Sequence, residues 1–361
     1  MLQLAQGMSR LGTESAFEVL ARANALAAAG KSIINLGIGQ PDFKTPQHIV
    51  DAACKALQDG HHGYTPANGI PQLREGVAAD LHKRHGVNVD PGQVVVVPGG
   101  KVTMFFAVLM FGEPLPLLEE NGFGFSADDL LALVNDRTRL IIINSPANPT
   151  GGVTADEEMH KLVKGLEKFP NVCVMSDEIY SEILYEGRKH LSLLTFESMR
   201  DRTIMLDGWS KTYAMTGWRM GYAVWPGKLA ELATRMAINC HSCVNAAAQW
   251  AGLAALQGPK DDVHKMCKAF DERRRFVVDA LKKLPGVSCV DALGAFYVFP
   301  NIKGTGMKAK QVEEGLLNDV GVAAIAGTSF GKFGEGYLRI SYANSLENIA
   351  EAMERMDGWL K

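Results

Sequence analysis

Four apolar runs in this chain are each followed closely by residues whose types could do chemistry. Runs of this kind are typical of strands covered on both faces of a parallel sheet. In chain order, the residues that follow them are Gly99, Gly100, Lys101, Asn148, Asp177, Tyr180, Ser210, Lys211 and Arg219. Because ligands in open α/β sheets bind beyond the carboxyl ends of the strands, we expect these residues to form one site.

Together, these residue types suit a phosphorylated aromatic aldehyde. A glycine pair at the start of a helix could hold a phosphate, although alone it is more often a tight turn. Lys211 lies among aromatic residues and could form a Schiff base, although a single lysine is usually solvated. Asp177 could pair with a pyridinium nitrogen, although it could also cap the next helix. Asn148 and Tyr180 could donate to the phenolic oxygen of such a ring.

The elements that must position these residues alternate between strand and helix. We predict strands at 94–97, 140–143, 172–175, 203–206 and 221–224. We predict helices at 14–29, 46–57, 70–85, 101–111, 126–135, 154–168, 228–256 and 261–284. The remaining residues indicate a smaller α+β module, with strands at 295–299, 322–325 and 337–342 and helices starting near 308 and 346.

The alternation fails between residues 112 and 125, where two helical patterns follow one another without a convincing strand. In a parallel sheet each crossover has to return to the same edge, so strand and helix alternate. The pattern therefore predicts that a piece of the fold is missing here.

Composition excludes several classes of protein. The 361 residues carry Lys+Arg 37 against Asp+Glu 40, a net charge of −3, which lacks the basic excess of a nucleic-acid binder. No apolar stretch is long enough for a membrane helix, and we find no signal peptide at the start. The six cysteines are sparse, so we expect a cytoplasmic protein. Cys240 and Cys243 have metal-like spacing without a second ligand pair, so we expect no metal and place both cysteines on a helix face.

Eight motifs run in order along almost the whole chain. They are Asn35-Leu36-Gly37-Ile38-Gly39-Gln40-Pro41-Asp42-Phe43, Gly63-Tyr64-Thr65 with Gly69-Ile70-Pro71, Gly99-Gly100-Lys101, Asn148-Pro149-Thr150-Gly151, Asp177-Glu178-Ile179-Tyr180, Ser210-Lys211 with Gly217-Trp218-Arg219, Gly294-Ala295-Phe296-Tyr297, and Leu338-Arg339-Ile340-Ser341-Tyr342. With these motifs the chain resembles the fold-type I pyridoxal phosphate enzymes, specifically class I aminotransferases of the aspartate aminotransferase family.

The resemblance implies an α/β fold with a mostly parallel, seven-stranded sheet and helices on both faces. This large domain, which binds pyridoxal 5'-phosphate, would span residues 43–275. Residues 1–42 and 276–361 would form a small α+β domain with an N-terminal arm. The implied activity is transfer of an amino group between an L-amino acid, aspartate by default, and a 2-oxo acid.

The resemblance also implies the role of each catalytic and cofactor-binding residue. Lys211 would carry the Schiff base and move a proton, Asp177 would keep the ring nitrogen protonated, and Tyr180 and Asn148 would bind the ring oxygen. The residues implied in phosphate binding are Gly99, Gly100, Lys101, Ser210, Arg219 and, from the neighbouring subunit of a homodimer, Tyr64.

For the substrate, the resemblance implies that Arg339 clamps the α-carboxylate with help from Gly39 and Asn148. Without the motif, Arg339 would read as an outward, solvated strand residue, and Tyr64 as an ordinary loop aromatic.

The chain departs from the family pattern at two places. Gly208 stands where the family usually has serine or threonine, which removes one phosphate donor. After Pro114 the sequence lacks a strand-helix-strand excursion of roughly 25–30 residues, the size of a βαβ unit, with the aromatic that stacks on the cofactor. Either this segment is truly deleted or its residues are omitted from the sequence.

Three functions therefore stay open. The first is an active transaminase, the second a lyase or decarboxylase on the same fold, and the third a shortened, catalytically impaired paralogue. A nicotinamide dehydrogenase is disfavoured because no strand is followed by the dinucleotide glycine pattern.

Overall fold

A computed structural model describes residues 15–108 and 117–361 of the chain. The predicted missing piece after Pro114, and most of the expected N-terminal arm, lie outside the described residues. The chain divides into two compact units. The larger comprises residues 40–271 and 292–295, and the smaller comprises the residues up to Gly39 together with 272–291 and 296–361.

The described residues form eleven α-helices and ten β-strands. The helices are α1 Ser15–Ala28, α2 Gln47–Gln58, α3 Pro71–His85, α4 Lys101–Val108, α5 Ala127–Leu133, α6 Asp156–Gly165, α7 Gly227–His241, α8 Ala246–Gln257, α9 Asp261–Leu281, α10 Ala309–Asp319 and α11 Leu346–Leu360. The strands are β1 Ile34–Asn35, β2 Val94–Val97, β3 Leu140–Asn144, β4 Cys173–Asp177, β5 Thr203–Gly208, β6 Gly221–Val224, β7 Tyr297–Val298, β8 Val322–Ala323, β9 Ile325–Ala326 and β10 Leu338–Ser341.

The larger unit is built on a mixed sheet that has five strands within the described residues, in the order β2-β6-β5-β4-β3. Strands β3, β4 and β5 are parallel, whereas β6 runs antiparallel to both β5 and β2. In this register Asn144 lies opposite Asp177, and Asp177 lies opposite Leu206. The carboxyl ends of three strands therefore lie side by side, and the prediction of an α/β fold is confirmed.

Helices cover both faces of this sheet. Val94 and Val96 pack into a core with residues of α2, α3 and α8, whereas Val95 and Val97 pack into a second core with α7. All four valines are fully buried. This two-sided burial explains why β2 is a continuous apolar run rather than an alternating one.

The smaller unit has two short sheets within its described residues. Strand β1 pairs in parallel with β8, and β7, β10 and β9 form an antiparallel sheet in that order. Helix α1 contributes Ala16, Val19 and Ala23 to a core that includes Ala323 and Ile325.

The predicted single helix over residues 228–256 is wrong. Helix α7 ends at His241, Ser242 takes a positive φ of 60°, and α8 begins after Asn245. The side-chain oxygen of Asn245 accepts a hydrogen bond from Ala248 N at 2.9 Å, which caps the new helix. The break contains neither glycine nor proline, so the usual sequence signals of a helix end are lacking. Cys243 lies in the break and not on a helix face, which corrects that expectation too.

No helix in the described part of the chain combines the length and hydropathy needed to cross a membrane.

We expect Asn245→Ala to lower the free energy of unfolding by about 1 kcal/mol, because it removes the cap of α8. Urea unfolding of the purified protein measures the change. Asn239→Ala, at an exposed site inside α7, is the matched control and should stay within about 0.5 kcal/mol of the parent. Equal losses in the two variants would contradict this reading of the break.

Candidate active site

Asp177 and Asn148 come together at the ends of β4 and β3. Asp177 is the last residue of β4 and is 9% exposed. Asn144 ends β3, and its Nδ2 donates to the backbone oxygen of Asp177 at 3.2 Å. The Oδ1 of Asn144 accepts from Asn148 N at 2.8 Å. One side chain therefore ties the Asn148 loop to the neighbouring strand end.

Burial raises the pKa of the Asp177 carboxyl to about 7. The Ile179 N–H, 3.2 Å from Oδ1, lowers that pKa in part. The charges of Asp207 and Glu178 raise it further, and the Lys211 ammonium lowers it. A cationic group placed at this carboxylate would favour the ionised form.

Lys211 is held half-buried in the turn that follows β5. Its Nζ lies 5.9 Å from the centroid of the Tyr180 ring, which is itself buried. Within the turn, Met215 N donates to Ser210 O at 3.1 Å. The indole of the fully buried Trp209 donates to Gly252 O at 2.9 Å and so anchors the turn to α8.

At the glycine pair predicted to hold a phosphate, the backbone lies very close to the guanidinium of Arg219. Gly99 has a φ of 94°, and a Cβ there would lie 2.8 Å from Cζ of Arg219. Arg219 itself is exposed, and its Nη1 donates to Thr216 O at 2.8 Å. Gly100 and Lys101 follow at the start of α4, where helix N–H groups favour an anion. A cationic fork beside a helix N-terminus fits a phosphate group.

The structure gives a reason for glycine at position 208. Gly208 pairs with Gly221 across β5 and β6, and a Cβ on Gly208 would lie 2.8 Å from Gly221 Cα and 3.0 Å from Met220 O. A hydroxyl-bearing residue at 208 would require these backbones to move apart. The departure from the family pattern is therefore a packing requirement in this chain.

Arg339 lies in the smaller unit and is 3% exposed, so its interpretation as an outward, solvated residue is wrong. Its Nη2 donates to Gly37 O at 2.6 Å, and its Cζ lies 4.8 Å from the Tyr297 ring and 4.9 Å from the Phe330 ring. A Cβ on Gly39 would overlap the hydroxyl of Tyr297. Two aromatic rings and the Gly37 carbonyl therefore contact the guanidinium and restrict its orientation.

Tyr64 is 94% exposed in the single chain. It lines a groove of about 350 Å³ together with His61, His62, Val244 and Asn245. Exposure on this scale is unusual for a tyrosine that packs within its own chain.

Sequence reasoning missed a buried ionic group near the end of β5. Arg84 contacts carboxylates of Asp80, Glu182 and Asp207, and its side chain is 13% exposed. The available signal was Asp207, which directly follows an apolar run, much as Asp177 follows one after a single serine. Arg84 gave no such signal because basic residues in the last turn of a helix are usually solvated.

Within residues 15–108 and 117–361, no three His, Cys, Asp or Glu side chains are grouped so as to hold a metal ion.

Comparison with known proteins identifies the family. A sequence profile described as "Aminotransferase class I and II" matches residues 31–115 and 113–356. The aspartate aminotransferase of Pyrococcus horikoshii is 38% identical over 92% of this chain and 91% of its own length. That of Geobacillus stearothermophilus is 35% identical over 100% of this chain and 99% of its own. The crystal structure of the aspartate aminotransferase of Rhizobium meliloti aligns with a TM-score of 0.93 at 30% identity, covering 100% of this chain and 99% of the other.

We expect the cofactor-free protein to lose stability as the pH rises, because the buried Asp177 carboxyl has to ionise. Its pKa is about 7 when folded, against about 3.9 when unfolded, so between these values the folded state binds the proton more tightly. Asp177→Asn removes this titration. The variant should therefore gain about 2 kcal/mol in free energy of unfolding, relative to the parent, between pH 5 and pH 8.

Urea unfolding at the two pH values measures this difference. Asp201→Asn, at an exposed site, is the control and should show the same difference from the parent at both. A pH-independent difference for Asp177→Asn would show that the carboxyl does not titrate in this range.

Proposed function

The chain belongs to the class I and II aminotransferase family and is a pyridoxal phosphate-dependent transaminase, and we propose that Lys211, Asp177 and Tyr180 are its catalytic residues. The observation that carries this proposal is the convergence of a half-buried lysine, a buried tyrosine ring and a buried carboxylate at the carboxyl ends of β4 and β5. When bound, pyridoxal phosphate supplies an aldehyde that condenses with amines and a ring that withdraws electrons from the attached Cα.

Each of these side chains has a distinct task. The Lys211 amine would hold the cofactor and, once free, would serve as the base that moves a proton at the substrate Cα. The Asp177 carboxylate would bind the ring N–H, and a cation there would offset the burial that raises the pKa of this carboxyl group. Tyr180 and Asn148 donate to the ring oxygen, with Asn148 held by the Asn144 side chain.

The phosphate is bound by the start of α4 and the residues around it. Support comes from the positive φ of Gly99, the guanidinium against it and the helix N-terminus that follows. The proposed phosphate-binding residues of one chain are Gly99, Gly100, Lys101, Ser210 and Arg219.

The α-carboxylate of the substrate is bound by Arg339, with Gly39 and Asn148 assisting. The two rings that contact Arg339 support this role, because they restrict the orientation of a planar fork suited to bidentate pairing. Aspartate is the default amino donor.

We further propose a homodimer in which Tyr64 of one copy reaches the phosphate of the other. The 94% exposure of Tyr64 in the single chain supports this, since a second copy would cover the ring.

A strand-helix-strand segment is deleted after Pro114. The profile matches in two stretches that meet at residues 113–115. The alignment with the Geobacillus protein spans 393 positions, 32 more than the 361 residues of this chain. Two further strands would extend the five-stranded sheet of the described residues to seven. Loss of the ring-stacking aromatic would weaken cofactor binding by about 0.5–1.5 kcal/mol.

Residues 43–275 as the cofactor domain, and a cytoplasmic location, are also proposals. The location is supported by the six cysteines, which are all free thiols.

We expect Lys211→Ala to abolish amino transfer from aspartate to 2-oxoglutarate and to remove the borohydride-trapped cofactor adduct seen in the parent. Loss of the amine removes both the covalent attachment and the proton carrier. Lys228→Ala, at the exposed start of α7, is the control and should keep both. A trapped adduct that persists in Lys211→Ala would assign the attachment to another lysine.

The same assay, with a panel of amino donors and 2-oxo acids, separates the competing functions. Release of ammonia or CO₂ without any oxo acid would favour a lyase or decarboxylase. A folded protein that never binds the cofactor would favour the impaired paralogue.

We expect a mixture of Lys211→Ala and Tyr64→Ala chains to regain activity that neither variant has alone. If Tyr64 acts on the neighbouring site, one active site of a mixed dimer lacks both Lys211 and Tyr64. The other active site has both residues intact. Turnover is measured after the variants are mixed, unfolded and refolded together, with each variant refolded alone as control. If mixing gives no gain in turnover, Tyr64 does not act on the active site of the neighbouring chain.

A further inference from the structure

We propose that Arg84 is a positioning residue for Lys211, holding Asp207 at the end of β5 and thereby the turn that presents the amine. The inference rests on the proposed role of Lys211. Apart from Lys211, it concerns residues of the larger unit to which no role toward cofactor or substrate is assigned above.

Arg84 makes directional contacts with two strands and their loops. Its Nη2 donates to Asp207 Oδ2 at 3.0 Å and to Tyr222 Oη at 3.1 Å. Its Nη1 donates to Ser181 Oγ at 3.2 Å, in the loop after β4. Its Nε donates to Asp80 Oδ2 at 2.7 Å on its own helix, α3. One guanidinium therefore joins α3 to the segments that follow β4 and to β5 and β6.

Asp207 passes this constraint to the lysine turn. Its Oδ1 accepts from Gly208 N at 2.7 Å, which fixes the backbone where β5 ends. Trp209, the next residue, is fully buried, and its backbone oxygen accepts from Tyr213 N at 3.1 Å. Between the Asp207 anchor and Lys211 lie only three residues, so movement of the anchor moves the amine.

Arg84 belongs to a cluster of charged side chains whose burial is unfavourable. Glu182 Oε1 lies 3.4 Å from Arg84 Nε and 2.7 Å from Nζ of Lys260, while His85 Nε2 lies 3.4 Å from Arg84 Nη1. Burial alone would lower the pKa of Arg84, but Tyr222 and the three carboxylates raise it well above its ordinary value. Burial raises the pKa of Asp207 to about 6 even beside this cation.

Buried ion pairs often contribute less stability than apolar residues of the same size. Their fixed geometry, in contrast, is well suited to holding a reactive group in place, because small displacements are costly in rate. The connection from Arg84 through Asp207 to the Lys211 turn therefore favours a positioning role over a purely stabilising one.

Arg84→Met tests the proposal, with Arg74→Met as the matched control. Arg74 lies on the same helix but donates to the backbone oxygens of Gly69 and Pro91. In the cofactor-free protein, we expect amide exchange at Tyr213 and Met215 to accelerate at least about tenfold in Arg84→Met and to stay unchanged in Arg74→Met. In the cofactor-loaded protein, we expect the pH midpoint of the lysine–cofactor absorbance to shift by at least about half a unit in Arg84→Met alone.

The route through Asp207 is tested in the Asp207→Asn background, where adding Arg84→Met should change neither readout further. Should Arg84→Met fail to fold, Arg84→Lys keeps a positive charge without the planar fork and should show the same changes, reduced in size. Equal behaviour of the Arg84 and Arg74 variants, or a full Arg84 effect in the Asp207→Asn background, would overturn the proposal. A parent protein without any lysine–cofactor absorbance would instead overturn the proposed role of Lys211.

Discussion

The parallel register of β3, β4 and β5 is the constraint on which the site depends. It places Asn144 opposite Asp177 and carries β5 past Leu206 to Asp207. Because the strands run in the same direction, their carboxyl ends bring polar residues from distant parts of the chain to one edge. The Asn148 loop, the Asp177 carboxylate and the Lys211 turn are each attached to one of these ends. Their mutual arrangement is therefore a property of the sheet rather than of the loops.

Glycine lets the remaining parts approach this edge. Gly221 brings β6 against both β5 and the start of α4, since a Cβ on it would lie 2.6 Å from Gly100 N. Gly208 allows the same approach from the β5 side. The start of α4, which is proposed to bind phosphate, and the turn that carries Lys211 can therefore lie on adjacent backbones. The consequence is that no side-chain donor fits at position 208, so the proposed phosphate contacts have to come from the other residues at this edge.

Much of the fold could be predicted because apolar periodicity reports burial directly. Val94 to Val97 are apolar without alternation, and the structure buries them on two faces. The direction of β6 could not be predicted, since an apolar run looks the same in parallel and antiparallel pairing. The helix break at Ser242 was also hidden, because it depends on a positive φ at a residue with no strong preference for one.

The candidate site was predictable to the extent that its residues follow strands. Asp177 and Lys211 stand out in this way, whereas Arg84 lies on a helix and gains its importance from contacts over 100 residues away in sequence. The burial of Arg339 was equally hidden, because an arginine in an alternating strand is usually solvated. The roles of charged residues are thus the hardest to predict from sequence, since their burial depends on partners that the local sequence pattern does not show.

The buried carboxylates of this edge differ in how the chain compensates them. Glu178 has His190 Nε2 at 2.9 Å and hydroxyls of Ser176 and Ser192 within 3.0 Å, and its pKa is lowered despite full burial. Asp207 has Arg84 and a pKa of about 6. The burial of the Asp177 carboxylate is compensated least, since its pKa is about 7. A protonated ring nitrogen from the cofactor would give Asp177 a close partner, as Glu178 has in His190 and Asp207 has in Arg84. In the proposed role of Asp177, this added cation would favour the ionised carboxylate beyond what the Lys211 ammonium alone achieves, which would couple cofactor affinity to the ionisation of one residue.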